Sequence, residues 1–153
     1  MRNTMTLSER ANAAQVDKCA CFNLRKATRA VTQLYDDILR PSGLRVTQFS
    51  LLTVIRIMGR VSITRLAEEA VLDRTTLARN LDLLEEAGLV RIQAGEDARV
   101  REVSLTRAAH ERLAAALPYW EKAQAQVTKN LGAGRVNHLL ADLSAAVAAA
   151  QKQ

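Results

Sequence analysis

Five side chains in the middle of this 153-residue chain carry hydrogen-bond donors suited to a polyanion: Arg74, Thr75, Thr76, Arg79 and Arg99. A guanidinium presents paired N–H groups that match two phosphate oxygens or the edge of a guanine. A threonine offers a hydroxyl to phosphate or a methyl group to thymine. Thr75 and Arg79 stand four residues apart, one turn of a helix. All ten basic residues between positions 41 and 107 are arginine. That bias suits planar, bidentate contacts, although a G+C-rich genome produces it too. A single arginine is ordinarily a solvated surface charge or the partner of a nearby acid, so the elements that position these five decide their meaning.

Asp73 is placed to cap a helix in which Leu77, Leu81 and Leu84 fall within about 60° of one another at about 100° per residue. Those leucines define its buried face, and Thr75 and Arg79 point the other way, near the helix N-terminus. Arg74 lies toward the side, where the positive end of the helix dipole favours backbone phosphate. Asp82, one turn on, would repel phosphate, so contact should fade beyond Arg79. Upstream, Ser62 caps a shorter helix containing Leu66 and Ala67, and Ala70-Val71-Leu72 forms the turn between the two. This is helix-turn-helix spacing. Directly after Glu86-Ala87-Gly88, residues 89–93 and 100–105 read as two strands rich in β-branched and apolar residues. Between them Gly95 and Asp97 suit a turn, so Asp97-Ala98-Arg99 becomes the basic tip of a hairpin, a wing. Arg91 and Arg101 are expected to pair across this hairpin with Glu102 or simply to support the strands.

The flanks are helical. Leu24, Ala27, Val31, Leu34 and Ile38 recur at spacings of three and four on a long arm helix that Pro41-Ser42-Gly43 stops. A second helix is expected from about Thr47, as N-cap, to Gly59, with Phe49, Leu52 and Ile55 facing inward. Thr106 caps a helix running toward Leu131 that Pro118 should kink or break, and Gly132-Ala133-Gly134 ends it. A last helix shows Val136, Leu139, Leu140, Leu143, Val147 and Ala150 at helical spacing. That stripe needs cover, which the arm helix and the equivalent helices of a second subunit would supply. The fold class is mainly α with a small β-wing. One domain over 1–153 is expected, with a winged helix-turn-helix head at 44–106 on a helical dimerisation body at 18–40 and 107–151.

The formal net charge of +6 does not locate a DNA-facing surface, because residues 41–107 carry ten basic against nine acidic side chains. The arrangement of the arginines decides instead. No run approaches the roughly 18 apolar residues that span a bilayer, and the N-terminus has no signal-like apolar core. No membrane partner and a cytoplasmic location are therefore expected.

Cys19-Ala20-Cys21 suggests either a thiol redox sensor or a soft-metal site. Residues two apart on a helix point about 200° apart, so chelation needs an unwound start to the arm helix or ligands from a second subunit. The bland reading is a pair of small hydrophobes. His110 and His138 stand alone, without the paired spacing of a metal site. Phe22, Tyr35, Tyr119 and Trp120 are candidates to line a small-molecule crevice, or else are core or dimer interface. No phosphate-cradling glycine loop, zinc-protease helix or nucleophile elbow is present, so neither an enzyme nor a cofactor is expected. A winged-helix protein-interaction module is the reading from another class, and the arginine set argues against it.

Taken in order, several segments resemble the MarR family of bacterial transcription regulators: Gly43-Leu44-Arg45-Val46-Thr47-Gln48-Phe49, Leu66-Ala67, Asp73-Arg74-Thr75-Thr76-Leu77, Leu84-Glu85-Glu86-Ala87-Gly88-Leu89-Val90, and Asp97-Ala98-Arg99 with Leu105-Thr106. The resemblance covers about residues 20 to 150. It implies a homodimer that reads a palindrome in double-stranded DNA with two winged heads. It also implies Arg99 in a minor groove and Asp97 shaping the wing without touching DNA. The expected function is a repressor released by a small-molecule effector, which would shift the population toward heads wrongly spaced for DNA.

Overall fold

The structure, a computed structural model, describes residues 15–151. The opening segment, in which the sequence shows no signal-like apolar core, lies outside the described residues. The chain divides into two compact units, one ending at Leu34 and one running from Tyr35 onward. Helix α1 spans Ala20–Leu39, and a 3-10 turn at Arg40–Ser42 closes it. There follow α2 (Val46–Met58), β1 (Val61–Ser62), α3 (Ile63–Ala70), α4 (Arg74–Glu86), β2 (Val90–Ala94), β3 (Arg101–Leu105), α5 (Arg107–Leu131) and α6 (Ala133–Gln151). No described helix is long and apolar enough to cross a membrane.

In the first unit the apolar stripe of α1 lies uncovered, with Leu24 and Val31 exposed. In the second unit, Tyr35 and Leu39 on the last turns of α1 are buried. The core continues through Leu52 and Ile55 of α2, Leu66 of α3 and Val103 of β3, none of which reaches solvent. Leu77, Leu81 and Leu84 of α4 are buried as their spacing requires, and each stabilises the head by roughly 1.5–3 kcal/mol relative to exposure.

Three of the expected caps close their helices through a side-chain oxygen. Ser62 Oγ accepts from Arg65 N–H at 3.2 Å, Asp73 Oδ1 from Thr76 N–H at 2.9 Å, and Thr106 Oγ1 from Ala109 N–H at 3.3 Å. The expected cap at Thr47 is a correction: α2 begins earlier, with Arg45 in the N-cap position. A guanidinium has no acceptor to offer. Asp36 Oδ1, on α1, accepts from Val46 N–H at 2.7 Å, while Gln48 Oε1 accepts from Arg45 N–H at 3.0 Å. Gly43 is needed before this helix because its φ is +74°, in the left-handed region that side chains rarely adopt.

The sheet is antiparallel in the order β1-β3-β2. Register pairs Val61 with Val103 and Ile92 with Val103, so the wing stem is held on both sides of β3. The expected break at Pro118 is also corrected, since α5 runs through it unbroken. Leu113 and Ala116 before the proline and Ala123 after it are all buried, so packing on both sides keeps the helix continuous despite the missing N–H. On α6 only Val136 is buried, and Leu139, Leu140 and Val147 are exposed.

Candidate nucleic-acid interface

Helices α3 and α4 form the helix-turn-helix, and the turn between them contains the only non-glycine residue with positive φ among the described residues. Val71 sits at φ 51°, ψ 45°, so its N–H reaches back to close α3. A β-branched residue in this left-handed conformation is strained. Asp73 then opens α4 with both carboxylate oxygens, Oδ1 accepting from Thr76 N–H and Oδ2 from the Thr76 hydroxyl at 2.6 Å. The hydroxyl first and the N–H second hold the Asp73 carboxyl below its usual range.

Arg74, Thr75, Thr76 and Arg79 are all exposed on the first turns of α4. Thr76 gives its hydroxyl hydrogen to Asp73, which leaves Thr75 as the hydroxyl donor free to face a ligand. Among the described residues Arg40, Arg60, Arg65, Arg99 and Arg107 lie in ion pairs, whereas Arg74 and Arg79 do not. Helix α4 therefore presents on its first two turns two guanidinium groups that form no ion pair among the described residues.

The wing tip is ordered by its own side chains. Asp97 Oδ1 accepts from Arg99 N–H at 3.0 Å and from Nε at 3.2 Å, and Oδ2 accepts from Nη2 at 3.3 Å. These donors, the backbone N–H foremost, hold the Asp97 carboxyl below the usual aspartate range. The Arg99 side chain is nevertheless 91% exposed. Backbone bonds from Gly95 N–H to Val100 O (2.7 Å) and from Val100 N–H to Asp97 O (2.8 Å) close the turn.

Glu102 does not pair with Arg91 or Arg101. Its carboxylate meets the guanidinium of Arg60, from the residue before β1. Nothing in the sequence signals this partner, because the two lie 42 positions apart. Glu85 of α4 is a second unforeseen tie, its Oε1 accepting from Ile92 N–H at 2.9 Å.

Of the four aromatic candidates, Tyr35 belongs to the hydrophobic core of the second unit, and Tyr119 and Trp120 pack against it. Tyr35 is buried, donates its hydroxyl to Gln124 Oε1, and has its pKa raised by that burial. Trp120 stacks on Phe49 with centroids 6.0 Å apart and planes 17° apart. An open groove of about 520 Å3 along α5 and the start of α6 is lined by Trp120, Gln124, Ala125, Thr128, Lys129 and Ala133, among others. Tyr119 packs half-buried against the core, and Phe22, in the first unit, is exposed.

Cys19 and Cys21 are exposed free thiols. Helix α1 begins at Ala20, and Cys19 O accepts from Asn23 N–H, so the two cysteines straddle the helix start. No group of three His, Cys, Asp or Glu suited to a metal ion occurs among the described residues. His138 Nδ1 lies 2.7 Å from Gly134 O, and His110 is exposed.

A capped helix-turn-helix followed by a hairpin with an arginine at its tip defines a winged helix-turn-helix DNA-binding regulator. The chain belongs to the MarR family. The family's sequence model matches residues 42–99, the segment from before α2 to the wing tip. The chain is 42% identical to the M. tuberculosis transcriptional regulator MosR, solved in complex with DNA, with a TM-score of 0.76 over 87% of this chain and 98% of that one. It is 27% identical over 97 residues to YwoH, an HTH-type transcriptional regulator of Bacillus subtilis, spanning 63% of this chain and 71% of that protein. The fold is shared with a mutant of MarR from E. coli complexed with operator DNA, at a TM-score of 0.74 and 24% identity over 80% of this chain and 89% of that one. This protein is accordingly a transcription regulator that binds DNA, not an enzyme.

Proposed function

We propose that the protein is a homodimeric, effector-responsive repressor whose two heads read a palindromic operator in double-stranded DNA, in the cytoplasm. The observation that carries the interface is that Arg74 and Arg79, on the exposed N-terminal turns of α4, lie in no ion pair among the described residues. In this reading Arg79 meets a base edge or phosphate in the major groove, Arg74 meets backbone phosphate, and Thr75 donates to a phosphate oxygen. Thr76, its hydroxyl held by the Asp73 cap, offers its methyl group, Arg99 enters the minor groove, and Asp97 shapes the wing.

The head at 44–106 reads DNA, and the helices at 18–40 and 107–151 form the dimerisation body of the single domain at 1–153. Uncovered apolar side chains on each flank, Leu24 and Val31 on α1 and Leu139, Leu140 and Val147 on α6, support a second copy as their cover. The groove beside Trp120 is apolar enough for a small-molecule effector, which would favour heads wrongly spaced for the operator.

A second input is favoured by one feature. Cys19 precedes the first residue of α1, so the two thiols are not locked on opposite faces of one helix. Hydrogen peroxide would oxidise the two thiols to a Cys19–Cys21 disulfide, with release of two waters. Replacing both with Ser would remove any response to peroxide and leave DNA affinity intact.

The test is selection of bound sequences from a random double-stranded DNA pool at near-physiological salt. An enriched palindrome with half-sites about one helical turn apart supports the reading. Weak, salt-sensitive binding with no enrichment overturns it.

A further inference from the structure

The wing stem is fastened from outside the hairpin at a single carboxylate. Arg60, which belongs to neither wing strand, turns its Nε to Glu102 Oε2 and donates from Nη2 to Ala94 O at 3.0 Å. One guanidinium thus holds both strands: β3 through the Glu102 side chain and β2 through its last carbonyl. Gly95 completes the clasp, because a Cβ there would fall 2.9 Å from Glu102 Oε1. Glu102 is only 25% exposed, and in the register it lies between Ser62 of β1 and Gln93 of β2. The four residues that follow Gly95 carry the turn and Arg99, so whatever fixes Ala94, Gly95 and Glu102 sets the direction in which Arg99 points.

We infer that Arg60 and Glu102 are positioning residues for DNA binding, a clasp at the root of the wing that aims Arg99 without itself touching DNA. The inference rests on the reading of Arg99 as a DNA contact. Its logic is that a hairpin free to sway must be ordered when it enters a groove, and a clasped one is ordered beforehand.

The sign of the effect at Glu102 separates this from plain electrostatics. Neutralising an acid on a DNA-facing surface strengthens binding when only charge matters, since it removes repulsion from phosphate. The clasp requires the opposite. The experiment measures affinity by fluorescence anisotropy for Arg60→Ala, Glu102→Gln and Arg99→Ala, and for each of the first two combined with the third. The probe is a labelled duplex carrying the selected sequence, or a mixed-sequence duplex of about 30 base pairs if none is enriched. Expected are losses of about fivefold for Arg60→Ala and Glu102→Gln, the size of one exposed, partly ordered ion pair. Both losses should vanish in the Arg99→Ala background.

Amide exchange across residues 94–100 in the free protein should speed up in Glu102→Gln, while thermal melting shows that the fold is retained. Tighter binding by Glu102→Gln overturns the clasp. So do losses that add to that of Arg99→Ala, or exchange unchanged from wild type. If Arg99→Ala weakens binding and the other two do not, the clasp alone falls. If Arg99→Ala is itself silent, the wing contact falls with it.

Discussion

The carboxylate of Asp97 accepts three hydrogen bonds from Arg99, one from its backbone N–H at 3.0 Å and two from its guanidinium at 3.2 and 3.3 Å. An acid and a base two residues apart thus fold the turn over themselves, leaving the guanidinium 91% exposed at the tip. The arginine is oriented before any ligand arrives.

Replacing Arg99 with Ala removes a cation from the reading surface without opening the core. Affinity for duplex DNA falls, and the slope of log affinity against log salt becomes shallower by about one. Titration across a salt series checks both. A loss of affinity with an unchanged slope would mean that Arg99 acts on the wing's shape and not on a phosphate-lined groove.

Acid should loosen the two ends of the reading surface together. Asp73 and Asp97 both have carboxyls held below the ordinary value of 3.8. The hydrogen bonds of the ionised form are therefore fully present above that value, and they are lost as pH falls through the lower folded values. Little change is expected between pH 7 and about 5, with the α4 cap and the wing turn weakening below about 4. The amide resonances of Thr76 and Arg99, followed by NMR against pH, report each site separately.

Val71 stores strain that a different side chain would release. It is 57% exposed, so little burial is lost on substitution, and its left-handed backbone suits asparagine. Val71→Asn should raise unfolding stability by about 1 kcal/mol, read as a higher urea midpoint with unchanged slope. A drop would show that the exposed isopropyl group has a partner worth more than the strain.

Leu140 is 54% exposed on α6 in the single chain. Leu140→Glu should shift the protein toward its monomer mass of 16.8 kDa in sedimentation, and should weaken binding to a two-half-site duplex more than to a half-site. A wild-type protein that already sediments as a monomer would remove the dimer from the proposed function.

Local signals are enough for much of the head. Ser62, Asp73 and Thr106 each act within three residues of the helix they cap, and Leu77, Leu81 and Leu84 share a face by periodicity alone. What the sequence conceals is long-range. Thr47 has the look of a cap because the real acceptor for α2, Asp36, is ten residues back on another helix. Strand β1, at two residues, is too short to show a period and exists through its pairing with Val103. Pro118 lies within a continuous α5 because tertiary packing on both sides outweighs one lost hydrogen bond. At the interface, the exposure of the α4 and wing side chains is foreseeable, and the Arg60–Glu102 tie is not.

A protruding hairpin also has an unpaired border, and β2 is one of the two outer strands of this sheet. Two of its outward groups are already occupied: Ile92 N–H by the Glu85 carboxylate and Ala94 O by the Arg60 guanidinium. Charged side chains lying on an edge are how sheets resist adding a stranger's strand. A strand from another chain would thus find two of the bonding positions along this border already taken.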